Sequence, residues 1–164
     1  MVKEGSEDLS EMPEQSSKPY FLEPTPIEKT LGKVFGALVR VGIGFKHNYI
    51  LEVRGRKSGK IFSTPVNLLV YKGKSYLCAS RGETQWVRNA RATGRVTLVK
   101  GSSREEFSVR ELPIDERPEL LKEFLDRFAT SVQRYYTVQK GSPVSAFAES
   151  AETMPVFQLT KDGI

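Results

Sequence analysis

Residues 49–80, YILEVRGRKSGKIFSTPVNLLVYKGKSYLCAS, contain three segments of branched and aromatic residues separated by two short glycine-containing turns. This composition is typical of β-strands, which we place at residues 49–54, 62–71 and 75–80. Residues 55–60 form the first turn. In the second, residues 72–74, Gly73 can adopt the positive φ angle of a tight hairpin. The stretch therefore predicts a meander of antiparallel strands.

On either side of this meander, the spacing of apolar residues predicts helices and three further strands. Helical spacing begins at Ile27 and recurs over residues 115–131, and a shorter helix is expected over residues 84–92, ended by Gly94. The further strands are expected at residues 95–100, 105–112 and 155–160. Strands that follow one another, rather than alternating with helices, predict a mostly β fold built around a small antiparallel barrel.

The length of 164 residues predicts one folded domain. We expect residues 27–164 to form it, and residues 1–26, rich in Glu, Ser and Pro, to be a disordered or loosely docked arm. The chain begins with neither a basic stretch nor an apolar segment. No apolar run approaches the ~20 residues of a membrane-spanning helix. These features predict a cytoplasmic protein.

The residue types exclude several classes of site. Cys78 is the only cysteine and His47 the only histidine, so the chain has no intramolecular disulfide and no Cys–His metal cluster. We predict no metal site, with Cys78 in the core and His47 as a surface or capping residue. The glycine patterns of dinucleotide-binding and phosphate-loop folds are absent.

The formal net charge of +5 favours an anionic partner, which leaves phosphate-bearing cofactors, nucleic acids and membrane surfaces to compare. No recognition helix or aromatic RNA-binding signature is present, so we predict no nucleic-acid partner. Basic positions in the first helix leave a peripheral membrane contact open, although packing on the sheet is the favoured interpretation.

Positive charge is most concentrated at residues 54–60, RGRKSGK, which we call the basic turn. Two glycines allow a ligand to approach its backbone, and its four cationic side chains, N–H groups and Ser58 hydroxyl suit a phosphate. The alternative is a solvated hairpin turn with no ligand. Local sequence alone does not decide between them.

A wider pattern adds to this motif. The basic turn is followed by Thr64-Pro65, a strand ending in small residues at Ser80, and a helix with Trp86 and Asn89 at Trp-x-x-Asn spacing. In this order the motifs resemble those of the deazaflavin-dependent nitroreductase family of flavin/deazaflavin oxidoreductases. The resemblance covers roughly residues 27–159.

The resemblance implies a six-stranded antiparallel split β-barrel of the FMN-binding type that binds coenzyme F-420. Such a protein passes a hydride from the reduced coenzyme to an electron-poor small-molecule acceptor, such as a nitroaromatic compound, a quinone or an enone. FMN is the less favoured cofactor. A non-enzymatic member, or one that binds FMN or a fatty acid, is the alternative. Both a monomer and a homodimer remain compatible with the sequence.

On the matching positions, the cofactor would contact the basic turn, the Thr-Pro pair, the segment after the third strand and the following helix. The implied residues are Arg54, Arg56, Lys57, Ser58, Gly59, Lys60, Thr64, Pro65, Ala79, Ser80, Arg81, Gly82, Trp86 and Asn89. Core packing is the alternative role for Trp86, and helix capping for Asn89.

Tyr135 and Tyr136 are the candidate catalytic residues, because the family carries tyrosines beside its substrate pocket. They are adjacent, so at most one of them is expected to face the pocket; aromatic cover of the barrel mouth is the alternative. The sequence departs from the family pattern at Arg81 and Glu83, where smaller residues are frequent. Glu83 would disfavour an anionic ligand unless it points away or pairs with Arg81.

Overall fold

The computed structural model describes residues 22, 29, 33, 34, 36–38 and 44–162. Within these, the strands are β1 Asn48–Arg54, β2 Ile61–Asn67, β3 Leu69–Tyr71, β4 Lys74–Cys78, β5 Arg95–Lys100, β6 Ser103–Glu111 and β7 Val156–Lys161. These seven strands form one antiparallel sheet in the order β2-β1-β5-β6-β7-β4-β3. The predicted mostly β fold is confirmed.

Closure of the sheet follows from the position of its two edge strands. β2 and β3 lie at opposite ends of the strand order but are separated in sequence only by Leu68, so the sheet must curl until its edges meet. Leu68 N donates to His47 O at 2.8 Å at this bend. The strand predicted over residues 62–71 is therefore two strands, and the sheet has seven rather than six.

The inside of the curled sheet is filled by apolar side chains, and helix α1, Gln85–Thr93, packs against this core through Val87 and Ala90, both 0 % exposed. The Thr84 side chain caps the start of α1, and Gly94, at φ 70°, ends it. Both ends agree with the predicted short helix, since a hydroxyl cap and a left-handed glycine are local signals.

A second apolar cluster lies outside the sheet. Helix α2, Arg117–Val132, and the short helix α3, Ala148–Thr153, pack there against Leu69, Tyr76 and Val156. The predicted long helix is thus present, preceded by a 3-10 turn at Ile114–Glu116. Cys78 packs against this cluster, as expected for a core residue, and burial raises the pKa of its thiol.

Few residues before residue 44 are described. Those at 29, 33, 34 and 36–38 are helical, in agreement with a helix in this region. A Cβ on Gly36 would lie 3.3 Å from Ile50 Cδ1 and 3.7 Å from Pro65 Cγ, so this helical segment packs on β1 and β2. Apart from Leu22, the predicted arm of residues 1–26 lies outside the described residues. No helix in the described part of the chain has the length and apolar character to cross a membrane.

Candidate functional site

The basic turn joins β1 to β2 and is closed by its own hydrogen bonds. Gly55 N donates to Lys60 O at 2.7 Å, Gly59 N to Gly55 O at 3.0 Å, and Arg54 Nη1 to Gly59 O at 2.9 Å. Lys60 N donates to Ser58 Oγ at 3.3 Å. Four bonds across seven residues fix the path of the backbone, so the turn is a defined structure rather than a loose hairpin tip.

Both glycines of the turn suit their positions, for different reasons. A Cβ on Gly55 would lie 2.6 Å from Phe62 Cε2 and 3.2 Å from Lys60 O, so any side chain here would force the Phe62 ring and the nearby backbone to shift. Gly59 has φ +70°, a left-handed conformation that favours glycine, and nothing lies within 4 Å of its Cβ position. The turn is therefore compact at Gly55 and open at Gly59.

In the described part of the chain, the basic turn has backbone N–H groups without an acceptor and cationic side chains without a carboxylate partner. Among residues 44–162, no acceptor bonds the backbone N–H groups of Lys57 and Ser58. Arg54, Arg56, Lys57 and Lys60 form no ion pair with a carboxylate in the described part of the chain. Free N–H groups beside unneutralised cations make a site suited to a phosphate.

Helix α1 holds the basic turn in place. The buried Asn89 accepts two hydrogen bonds at Oδ1, from Arg56 N at 3.2 Å and Arg56 Nη1 at 2.8 Å. Gln85 Oε1 accepts a third from Arg56 Nη1 at 3.1 Å. Sequence reasoning missed Gln85, although its spacing of four residues from Asn89 puts both on one face of α1. The contact gives Asn89 a positioning role toward Arg56.

Residues 79–82, which follow β4, form the second part of the site and are called the 79–82 segment. Ala79 N donates to Pro155 O at 2.8 Å and Gly82 N donates to Ala79 O at 2.9 Å, while Gly82 has φ 80°. Ala79, Ser80 and Gly82 are buried. A tight, buried backbone turn therefore connects β4 to Thr84, the cap of α1.

Tyr136 contacts this segment directly. Its hydroxyl lies 3.1 Å from Ser80 Oγ, and its side chain is 6 % exposed. Burial raises the pKa of Tyr136, since desolvation disfavours the phenolate. Tyr135 is only partly buried, and the guanidinium of Arg134 lies 4.9 Å from the centre of its ring. Of the two predicted tyrosines, the structure thus brings Tyr136 to the site.

The two unusual residues of this region have separate partners. Arg81 exchanges two hydrogen bonds with the backbone of Leu22: Arg81 Nε donates to Leu22 O at 3.0 Å, and Leu22 N to Arg81 O at 3.1 Å. Glu83 accepts two hydrogen bonds from Arg91, at 2.8 and 3.0 Å, which lower the pKa of its carboxyl group. Arg91 also bonds both oxygens of Glu111. Glu83 is therefore neutralised by Arg91 rather than Arg81.

Thr64 and Pro65 lie on β2, where they face opposite sides of the sheet. Thr64 is paired with the fully buried Leu51 of the barrel interior, while Pro65 is paired with Ile50 beneath the segment at Gly36. Proline is tolerated here because β2 is an edge strand.

Trp86 packs against the barrel core, its ring centre 5.6 Å from that of Phe157. This contact supports the packing role for Trp86. A contact with the cofactor stays a prediction for Trp86, Thr64 and Pro65.

The site as a whole lies around α1, beside the end of β1 and the end of β4. The basic turn contacts α1 through Arg56, and the 79–82 segment leads into α1 through Thr84. A single helix therefore links the hydrogen-bond donors of the basic turn, which could bind a phosphate, to the buried 79–82 segment and the Tyr136 hydroxyl beside it. These donors fit the phosphate of coenzyme F-420, and the basic side chains fit its acidic tail.

Comparisons with known proteins agree with this fold. A solved structure described as a domain-swapped dimer matches with a TM-score of 0.52 and 18 % identity, covering 82 % of this chain and 96 % of that one. A protein of unknown function from Agrobacterium tumefaciens str. C58 gives 0.53 and 15 % identity, over 89 % and 60 %. General Stress Protein 26 from Bacillus anthracis str. Sterne gives 0.50 and 11 %, over 78 % and 89 %.

Comparison with curated protein sequences gives no match. The family model described as F-420H(2)-dependent quinone reductase matches residues 31–146, which is more than half of the chain and includes the basic turn, the 79–82 segment, α1 and both tyrosines. The match confirms the resemblance to deazaflavin-dependent oxidoreductases and identifies coenzyme F-420 as the cofactor. The chain belongs to the F-420H(2)-dependent quinone reductase family.

Proposed function

We propose that this protein transfers a hydride from reduced coenzyme F-420 to a quinone, with nitroaromatic compounds and enones as further acceptors. The observation that carries the proposal is the basic turn, which is hydrogen-bonded to α1 through Arg56 and Asn89 and whose cations form no ion pair with a carboxylate of the described residues. A turn that is held rigid and keeps its charges free suits a phosphate-bearing cofactor. The family model's description favours the quinone among the acceptors.

The bound coenzyme supplies the hydride, and the residues of the chain bind and orient it. The free N–H groups of Lys57 and Ser58 and the cations of the basic turn would hold the phosphate. Asn89 fixes Arg56 before the ligand arrives, so less ordering entropy is lost on binding. The buried 79–82 segment would border the ring and exclude water.

Tyr136 is the residue that we propose to contact the acceptor. A quinone oxygen gains negative charge as the ring receives a hydride, and a hydroxyl group that donates to it stabilises that charge. Burial holds the pKa of Tyr136 far above neutrality, so the hydroxyl keeps its proton and acts as a hydrogen-bond donor rather than a base. Ser80 fixes the orientation of this hydroxyl from 3.1 Å.

The test begins with titration of the purified protein with oxidised coenzyme F-420, followed by its fluorescence, beside FMN as competitor. Lys57→Ala removes one charge from the basic turn, and Lys74→Ala removes another exposed lysine, at the end of β4 away from the 79–82 segment. We expect Lys57→Ala to weaken coenzyme binding about three- to tenfold and Lys74→Ala to leave it unchanged, because only the first removes a phosphate contact.

The second half of the test follows oxidation of reduced coenzyme F-420 by a soluble benzoquinone and, in parallel, by a nitroaromatic compound. Faster turnover with the quinone would support the proposed acceptor. Binding that both lysine variants weaken equally would refute the assignment of the basic turn. A preference for FMN would favour the alternative cofactor.

A further inference from the structure

A large apolar side chain is exposed beside the basic turn. Phe62, the second residue of β2, is 50 % exposed. Its partner on β1, Val53, is 2 % exposed and belongs to the core inside the barrel. Residues that are paired across antiparallel strands lie on the same face of the sheet. The ring of Phe62 therefore lies on the interior face, where α1 also packs, yet half of it is exposed to solvent.

Gly55 brings this ring close to a hydroxyl group of the basic turn. A Cβ on Gly55 would lie 2.6 Å from Phe62 Cε2 and 3.0 Å from Ser58 Oγ, so these two atoms are no more than about 6 Å apart. The absence of a side chain at Gly55 leaves room for the ring against the turn. A phosphate bound at Ser58 would therefore have an aromatic surface beside it.

The interior face of β2 continues from Phe62 into the barrel. Its next residues, Thr64 and Val66, are partly buried, and Val66 packs against the barrel core. Each step of two residues along the strand advances about 7 Å. From the basic turn inward, the surface is thus first cationic, then aromatic, then more deeply buried. A ligand in which a phosphate is followed by an uncharged ring system matches this order.

We propose that Phe62 is a further coenzyme-binding residue, whose side chain packs against the uncharged ring and polyol of coenzyme F-420 rather than its acidic tail. The inference rests on the proposed function and adds a residue that the sequence motifs do not include. Aromatic rings stack favourably, and the contact would cover apolar surface that is now exposed to water. A carboxylate of the tail gains nothing from a phenyl ring, because it prefers water or a cation.

The test compares coenzyme F-420 with its phosphate-free fragment, which keeps the deazaflavin ring and the polyol but lacks the phosphate and the tail. Both are fluorescent, and each is titrated against the wild type and Phe62→Ala. We expect the Kd of both ligands to rise by a similar factor, about 5- to 30-fold, because they share the lost aromatic contact. Phe62→Leu keeps an apolar side chain without an aromatic face and should raise both Kd values about two- to fivefold. Lys57→Ala should weaken the coenzyme more than the fragment, which carries no phosphate.

The matched control is Ile61→Ala, because Ile61 is also 50 % exposed and precedes Phe62 on the opposite face of β2. It should leave both Kd values unchanged, and thermal unfolding checks that every variant is folded. Equal effects of Phe62→Ala and Ile61→Ala, or no effect of Phe62→Ala, would overturn the inference while the proposed function stands.

Two further outcomes concern the fragment. A loss of affinity in Phe62→Ala for the coenzyme alone, or wild-type binding of the coenzyme without any binding of the fragment, would place Phe62 against the tail and overturn the assignment to the ring. If the wild type binds neither ligand, the proposed function fails and this inference fails with it.

Discussion

Replacement of Asn89 by alanine removes the acceptor that links the basic turn to α1. In the native structure Asn89 Oδ1 receives both the backbone N–H and the Nη1 of Arg56, at 3.2 and 2.8 Å. After the substitution, only the longer bond to Gln85 holds the guanidinium group. The turn keeps its internal hydrogen bonds but loses its fixed position relative to the helix.

The expected magnitude follows from these two bonds. A hydrogen bond to a charged group contributes about 1.5–3 kcal/mol, and a neutral one about 1 kcal/mol. Arg56 is exposed, so water replaces part of both after the substitution. We therefore expect the substitution to remove about 2 kcal/mol of interaction energy between Arg56 and α1. Because Arg56 would then have to be ordered when the phosphate binds, the binding free energy would weaken by this amount and the Kd of coenzyme F-420 should rise about 10- to 30-fold.

Two further variants separate positioning from general destabilisation. Gln85→Ala removes only the exposed bond of 3.1 Å and should raise the Kd about twofold. Asn89→Asp keeps an acceptor for Arg56, so the thermal midpoint should stay within about 2 °C of wild type. Its carboxylate nevertheless competes with the phosphate for the same guanidinium group, and coenzyme affinity should fall.

The assay is a fluorescence titration with coenzyme F-420, paired with thermal unfolding of each variant. Loss of affinity in Asn89→Asp without loss of stability is the combination that a purely structural role would not produce. If Asn89→Ala unfolds at a lower temperature but binds the coenzyme as wild type does, Asn89 supports the fold and Arg56 does not need it for phosphate binding.

Three more outcomes can be measured on single variants. Gly55→Ala forces a Cβ to 2.6 Å from the ring of Phe62, and should lower the free energy of unfolding in urea by at least about 1–3 kcal/mol. Arg91→Ala removes the cation that lowers the pKa of Glu83 in the folded protein. A carboxyl group with such a lowered pKa stabilises the folded state at pH values above its unfolded pKa of ~4.3, and this stabilisation is lost as the pH falls. The stability deficit of Arg91→Ala at pH 7 should therefore shrink below pH ~4, and a constant deficit would contradict the ion pair. Tyr136→Phe should reduce kcat with a quinone while leaving the Kd of the coenzyme unchanged, and an unaltered kcat would exclude the proposed contact with the acceptor.

Local signals in the sequence were sufficient for most elements of the fold. A polar cap at Thr84 and a glycine at Gly94 mark the ends of α1. Gly73 marks the hairpin between β3 and β4, where its φ of 73° is positive, as predicted. Each of these features depends on neighbouring residues alone. The break at Leu68 does not depend on neighbouring residues alone, because it arises where the chain passes from β2 at one edge of the curled sheet to β3 at the other. Nothing in the apolar run of residues 62–71 marks it.

The parts of the site that depend on distant contacts were harder to predict. Charge and glycine content were enough to make the basic turn a candidate site, since both are visible in seven consecutive residues. The partner of Glu83 could not be found in this way, because Arg91 is two helical turns away and is oriented by Glu111 on β6. For the two tyrosines, the sequence could say only that adjacent residues face different ways. The neighbour of Tyr136, Ser80, lies 56 residues earlier in the chain.

The contact between Arg56 and Asn89 gives a physical reason for two motifs to occur together in one chain. The Gly-Arg-Lys-Ser-Gly turn presents charges and N–H groups. An exposed turn with no support would nevertheless bind a phosphate weakly, because its side chains would have to be ordered on binding. In the proposed cofactor site, Asn89 of the Trp-x-x-Asn helix would remove that cost by holding Arg56, and Trp86 packs the helix on Phe157. The helix motif would then act on the cofactor through the turn, so that a change at Asn89 would need no direct contact with the coenzyme to alter its binding.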